Sequence, residues 1–303
     1  MKHPSITREA TGLNDPVIEP IEFGSPELET LVARAREGDR AGLEAVVESV
    51  RDRVYNLAMR MLWHPADADD ATQEILIRIV THLGSFRGES AFSTWVYRVA
   101  ANSLLTTRKR RAEREELTFE RFAEQLDQGL APASPDPAID VEHRLLVEEV
   151  KLGCTQGMLL CLDRDHRLAY ILGHVFGLTS QEAAEIVGVT PAAFRKRLSR
   201  ARERLHGFME RKCGLVDQAN PCRCARRLDH AARIGRVDPQ HLLFATHPHH
   251  GPDPVTAEAV REMVRLHSVA DVLRGHPDYA APGAAADIIR DFLDSTRLRV
   301  LKD

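Results

Sequence analysis

The sequence predicts an all-α protein. Apolar residues recur at spacings of three and four through most of the chain, the mark of amphipathic helices. Capping residues punctuate those stripes. No strand-like alternation of useful length and no internal repeat interrupts them. With 303 residues there is room for two or three domains. A hydrophobic share of 43% and a charged share of 28% are ordinary for a globular chain with real cores.

The elements follow in order. Residues 1–25 hold three prolines and few large apolar residues, and read as a flexible leader. They lack the apolar core of a secretory signal. No run of 18 apolar residues marks a membrane span, so the chain is expected in the cytoplasm without a membrane partner. Residues 26–111 read as a first helical domain. Its main stripe is Leu43, Val46, Val47, Val50, Val54, Leu57 and Met61. Pro65 breaks that run, and Asp67 to Asp70 are expected to cap a next helix carrying Ile75, Leu76, Ile79 and Leu83. Gly84 and Gly88 bracket a loop. A third helix is expected from Ala91 through Leu105, ending in the basic run Arg108 to Arg111. Residues 112–141 read as an acidic linker; over 115–150 the net charge is −8, and the centre is rich in proline. A second helical domain covers 142–212, and a tail covers 213–303.

Within the second domain, LTSQEAAEIVGVTPAAFRKRLSRARERL (178–205) has the grammar of a helix-turn-helix. Thr179 or Ser180 can cap a first helix, with Glu182 in its first turn. Ala183, Ala184, Ile186 and Val187 give it an inner face. Gly188 falls where the turn needs a positive φ. Thr190 caps the second helix, and Pro191 takes its first position, where a missing N–H costs nothing. Phe194, Leu198, Ala201 and Leu205 face inward. Residues 191–212 carry a net charge of +6, so the outward face suits a major groove and its phosphates.

The total charge of −4 taken alone argues against a nucleic-acid binder, but it is a sum over segments of opposite sign. Only six of the 41 basic residues are lysine, and arginine's planar fork suits phosphate. In residues 83–111, Phe86, Phe92, Trp95 and Tyr97 interleave with Arg87, Arg98 and Arg108. Rings beside cations suit unpaired bases. The bland reading makes the rings core and the charges surface, which fits Phe92 and Trp95 best.

These stretches resemble bacterial RNA polymerase sigma factors of the extracytoplasmic-function group. LVARAREGDRAGLEAVVE resembles the family's opening helix. DADDATQEILIRIVTHLGSFRGESAFSTWVYRVAANS resembles its second conserved region. LDRDHRLAYILGHVFGLTSQEAAEIVGVTPAAFRKRLSRARERL resembles its fourth. The resemblance implies that Asp69, Asp70, Gln73 and Glu74 dock on core RNA polymerase. It implies that the loop around Phe86, Arg87 and Ser90 holds a base flipped from promoter DNA. Trp95, Tyr97, Arg98, Asn102 and Arg108 then line or support the opened strand. Thr190, Arg195, Lys196, Arg197 and Arg200 read the upstream promoter element. Gly42–Leu43 departs from the usual Ala–Phe, and Ser103 to Thr107 are neutral where relatives carry charge.

The tail adds Cys213, Cys222 and Cys224, with His230 close behind, as candidate zinc ligands. Their spacing is not the usual pair of pairs, so a thiol redox sensor and plain structural roles stay open. Cys154 and Cys161, seven apart on a helix, read as small core residues. Promoter recognition itself is expected to need no cofactor. The predicted helices at 255–273 and 284–295 suggest a regulatory module, acting by self-inhibition or beside an anti-sigma factor. No nucleophile elbow, P-loop or HExxH motif supports an enzyme. The competing readings are an ordinary helix-turn-helix regulator and a metal- or redox-sensing DNA-binding regulator.

Overall fold

A computed structural model describes residues 24–106, 117–131, 141–250, 269–283, 287 and 290–291. The leader before Gly24, the basic run with Arg108, the proline-rich centre of the linker and most of the two expected tail helices lie outside the described residues.

Helix α1 spans Pro26–Arg36; Ser25 accepts the Leu28 N–H at 3.2 Å, and Pro26 sits in the first turn. Leu28, Val32 and Ala35 form its buried face. Helix α2 (Arg40–Leu62) is capped by Asp39 and buries the predicted stripe from Leu43 to Met61. It stops at Trp63, whose φ of 68° is uncommon for a bulky residue. Helix α3 (Pro65–His82) begins earlier than expected. His64, not Asp67 to Asp70, caps it by accepting the Ala66 N–H. A proline at the first position starts a helix as readily as it ends one. A 3-10 turn at Leu83–Ser85 leads through a loop to α4 (Phe92–Thr106).

The acidic stretch is more than a tether. It contains helix α5 (Phe119–Asp127), capped by Thr118, with Phe119, Phe122 and Leu126 buried. The two phenylalanine rings meet Phe208 at 5.1 and 5.9 Å, and apolar contact of this kind holds a short helix that propensity alone would not. The second domain comprises α6 (Val141–Leu160), α7 (Arg164–Tyr170), α8 (Ser180–Val187) and α9 (Pro191–Lys212). Helix α7 runs on into a π-helical turn at Ile171–Val175. In the tail, α10 (Cys224–Arg233) lies on α6. The histidine-rich segment supplies a short strand, β1 (His249–His250). It pairs antiparallel with β2 (Asp278–Tyr279), which follows α11 (Val269–Arg274).

One core runs through both domains and the tail. Leu57, Ile75, Phe92, Leu168, Phe194 and Leu205 share it with the tail's Phe244, Val272 and Tyr279. Burying each such large side chain contributes about 1.5–3 kcal/mol. Polar side chains join the same parts. The buried Arg167 guanidinium donates to the carbonyls of Met61, Leu159 and Leu162, closing the ends of α2 and α6 together. Among the described residues, no helix is long and apolar enough to cross a membrane.

Candidate nucleic-acid interface

The helix-turn-helix forms where the capping pattern put it. The Thr179 hydroxyl accepts the Glu182 N–H at 3.3 Å, and the Glu182 carboxylate accepts the Thr179 N–H at 2.8 Å. The Thr179 hydroxyl also donates to that carboxylate at 2.6 Å, and this bond first, then the one from the Thr179 N–H, holds the Glu182 carboxyl below its usual range. Gly188 ends α8 with φ at 67°, a conformation that glycine adopts without a steric cost. Thr190 accepts the Ala193 N–H at 3.2 Å, so its hydroxyl serves the cap. Phe194, Ala201 and Leu205 are buried, and Leu198 packs against the same core. Arg195, Lys196 and Arg200 stand exposed on the opposite face. Arg197 instead donates to Asp165 of α7 at 2.9 Å.

The aromatic–basic helix is placed differently from a free stacking surface. Phe86 is only 5% exposed, Phe92 is fully buried and Trp95 is half-buried. Their rings pack at 5.4–5.6 Å from one another. Phe86 is thus support for the loop rather than a ring open to a base, since apolar burial against Phe92 outweighs exposure. Tyr97 is buried against Phe176 of the second domain, with ring centroids 5.9 Å apart. Burial pushes its hydroxyl up to about 12. Arg98 is tied to Glu185 of α8, by an ion pair at 3.1 Å and a hydrogen bond to its carbonyl at 3.3 Å. Arg87 and Asn102 are exposed, and Ser90 donates to the Ala91 carbonyl at 3.3 Å.

The four residues of the expected polymerase-docking face all lie on α3. Asp70 and Glu74 are exposed; Asp69 and Gln73 are half-buried and joined by a 3.0 Å hydrogen bond. Desolvation, then the charge of Asp70, raises the Asp69 carboxyl above its usual range. Thr72, Ile75 and Leu76 on the other side of the helix are buried.

The tail crosses both domains through residues that sequence reasoning missed. Asn56 of α2 donates to the Tyr279 carbonyl at 2.7 Å and accepts the Tyr279 N–H at 2.9 Å. Asp52 accepts the Ala281 N–H at 3.0 Å. On the second domain, Arg274 donates to the His174 carbonyl at 2.8 Å, and His276 pairs with Thr155. The buried Glu149 carboxylate accepts the N–H groups of Leu243, Phe244 and Ala245 at 2.8–2.9 Å. Trp63 donates its indole N–H to the Gly153 carbonyl at 2.9 Å and leans on Phe244.

The candidate metal ligands are rearranged. His230 lies away from the cysteines: its ring abuts Gly129 and pairs with Arg233 at 2.9 Å. Nearness along the chain is not nearness in space. Cys154 packs against the core as expected, and it also lines one cavity with Cys213, Cys222 and Cys224. Cys161 does sit in the core, and burial pushes its thiol up to about 12. Among the described residues, no three His, Cys, Asp or Glu side chains converge in a metal-holding arrangement.

Residues 46–114 match the family model for sigma-70 region 2, and residues 152–205 match that for sigma-70 region 4. The ECF RNA polymerase sigma-E factor of Haemophilus influenzae is 32% identical over 185 residues, 60% of this chain and 95% of that one. The RNA polymerase sigma-H factor of Pseudomonas aeruginosa is 31% identical over 178 residues, 57% of this chain and 89% of that one. The solved structure of CnrH in complex with the cytosolic domain of CnrY is 23% identical, with a TM-score of 0.39, covering 60% of this chain and 96% of that one.

Proposed function

Because the chain belongs to the extracytoplasmic-function family of RNA polymerase sigma factors, we propose that it is a promoter-specificity subunit held closed by its own tail. It binds core RNA polymerase, recognises promoter DNA at two elements and promotes initiation. Nucleotide transfer belongs to the polymerase, and the chain itself does no chemistry. It works in the cytoplasm, where the polymerase meets DNA. The exposed acids of α3 suit the docking surface, and the exposed cations of α9 suit the upstream element, where phosphate contacts fix register.

The observation that carries the closed reading is the placement of α4. Tyr97, which would face the opened strand, is covered by Phe176 of the second domain, and the partly exposed Arg98 is held by Glu185. Residues 274–281 then bind α2 on one side and the π turn and α6 on the other. A tail that favours this arrangement lowers the fraction competent for promoter opening, and polymerase binding must supply the difference. Self-inhibition is favoured over a separate inhibitor because the tail already spans both domains.

The test is run-off transcription from a two-element promoter with purified core polymerase. Polymerase-dependent transcripts are expected. Tight binding to duplex promoter without polymerase would instead indicate an ordinary DNA-binding regulator.

A further inference from the structure

A polar cavity of about 500 Å³ lies where α2, the start of α4, α8 and the tail meet. Helix α2 lines it with Arg53, Asn56 and Arg60, whose spacings of three and four put them on one face. The tail lines it with Arg274 and Asp278. Ser93 and Thr94 also line it, from the first turn of α4, a helix end that favours negative charge.

Arg60 is the central group. It is only 5% exposed, and its guanidinium lies over the Phe176 ring, 5.6 Å from the centroid. Its hydrogen bonds go to neutral acceptors: the Asn56 side-chain oxygen at 2.9 Å and the carbonyls of Asn56 and Pro277 at 3.3 and 3.4 Å. Its Nε is buried with no hydrogen-bond partner among the described residues. A buried guanidinium with an unused donor carries a desolvation cost that a bound anion offsets. Arg274 is held through its Nε, which donates to the His174 carbonyl at 2.8 Å. Its terminal nitrogens make no hydrogen bond among the described residues, and Arg53 is exposed on the facing helix. The two acids on the lining do not supply the missing partner. Glu182 is engaged by the N–H and hydroxyl of Thr179 at 2.8 and 2.6 Å. Asp278 is exposed and makes no hydrogen bond to Arg60 among the described residues.

We propose that this cavity binds a small oxyanion of two or more charges, phosphate-type or polycarboxylate, between Arg53 and Arg60 of α2 and Arg274 of the tail. The planar fork of arginine suits both kinds of oxyanion. The volume is that of an ordinary small-ligand site. The three arginines belong to two parts that only the closed arrangement brings together, so the anion binds that arrangement and shifts the population toward it. It acts as an effector that keeps the tail docked, and in this the proposal rests on the closed reading above.

The test is calorimetric titration of the full chain with inorganic pyrophosphate and, separately, with citrate, at constant ionic strength. Saturable binding of about one anion per chain is expected, and the anion preferred separates a phosphate-type ligand from a carboxylate-type one. Arg53→Gln and Arg274→Gln should each weaken it about tenfold or more, the usual effect of losing a charged hydrogen bond. Arg53 is exposed, so its variant should fold. Arg195→Gln, on the outward face of α9, should leave the affinity unchanged. Hydrogen exchange of residues 274–281 should slow when the anion is added to the wild type. No saturable binding of either anion would overturn the proposal, as would full affinity in both cavity variants or a loss of binding in Arg195→Gln. Exchange without any anion keeps the two readings apart. Protected residues 274–281 with no anion bound would sink the effector site alone, whereas unprotected ones would contradict the closed arrangement and the site with it.

Discussion

Asn56 holds both backbone hydrogen-bonding groups of Tyr279, donating at 2.7 Å and accepting at 2.9 Å, with both residues buried. A single side chain on α2 thus takes the place of a neighbouring strand for β2. Asn56→Ala leaves a buried N–H and a buried carbonyl without that partner, at a cost of about 1–3 kcal/mol each. Limited proteolysis should show residues 274–281 cut faster in the variant, with the two domains still folded. An unchanged cutting rate would mean that the tail docks through other contacts.

The Tyr279 ring and its hydroxyl should separate cleanly. The hydroxyl is buried with no hydrogen-bond partner among the described residues. Tyr279→Phe removes that desolvated group and keeps the ring and both backbone bonds. Thermal unfolding should show a midpoint equal to or above that of the wild type, by up to about 1–3 kcal/mol of relieved desolvation. A clear loss of stability would reveal a partner for the hydroxyl.

Docking of the tail should weaken in mild acid. Burial, reinforced by Arg60 and Lys151, holds His276 well below its usual value. Burial likewise lowers His247, beside Tyr55 and His249. Both bind a proton less readily when docked than when released, so release takes up protons as the pH falls below about 6.5, their unperturbed value. Stability therefore falls as pH drops through that point and is full above it. Hydrogen exchange of residues 274–281 should be faster at about pH 5.5 than at about pH 7.5, beyond the intrinsic pH effect on exchange. Equal protection would show that the histidines carry no such linkage.

Arg167 joins the two sigma domains, donating to the Met61 carbonyl of the first and to the Leu159, Leu160 and Leu162 carbonyls of its own. Arg167→Met keeps much of the volume but leaves those acceptors without the guanidinium. A loss of about 3 kcal/mol or more in chemical denaturation is expected. The exposed cations of α9 behave oppositely. Alanine at Arg195, Lys196 or Arg200 should leave stability within about 0.5 kcal/mol. Each should lower the salt slope of promoter binding by the polymerase complex by about 1.

Local chemistry was legible in the sequence, and spatial assembly much less so. Thr179, Gly188, Thr190 and Pro191 announce their own turn geometry, because caps depend on neighbours three residues away. The helix at Phe119–Asp127 was hidden by its acidic, proline-rich surroundings, although Phe119, Phe122 and Leu126 carried the spacing. The candidate site divided in the same way. Arg195, Lys196 and Arg200 of α9 face outward as their stripe implies, whereas Tyr97 is covered by, and Arg98 tied to, a domain distant in sequence. Cys154 joins the tail cysteines and His230 leaves them for the same reason. Packing of α10 on α6 decides both, and no periodicity encodes it.

A polymerase-dependent sigma factor restrained by its tail gains activity when the tail is loosened. Run-off transcription with purified core polymerase, comparing wild type with Tyr279→Ala, measures that gain. The variant alters the tail and none of the polymerase- or DNA-facing residues. Transcripts should require core polymerase for both chains and should be severalfold more abundant with Tyr279→Ala. Equal yields from the two chains would contradict the restraint, and transcripts from neither would contradict the sigma-factor account itself.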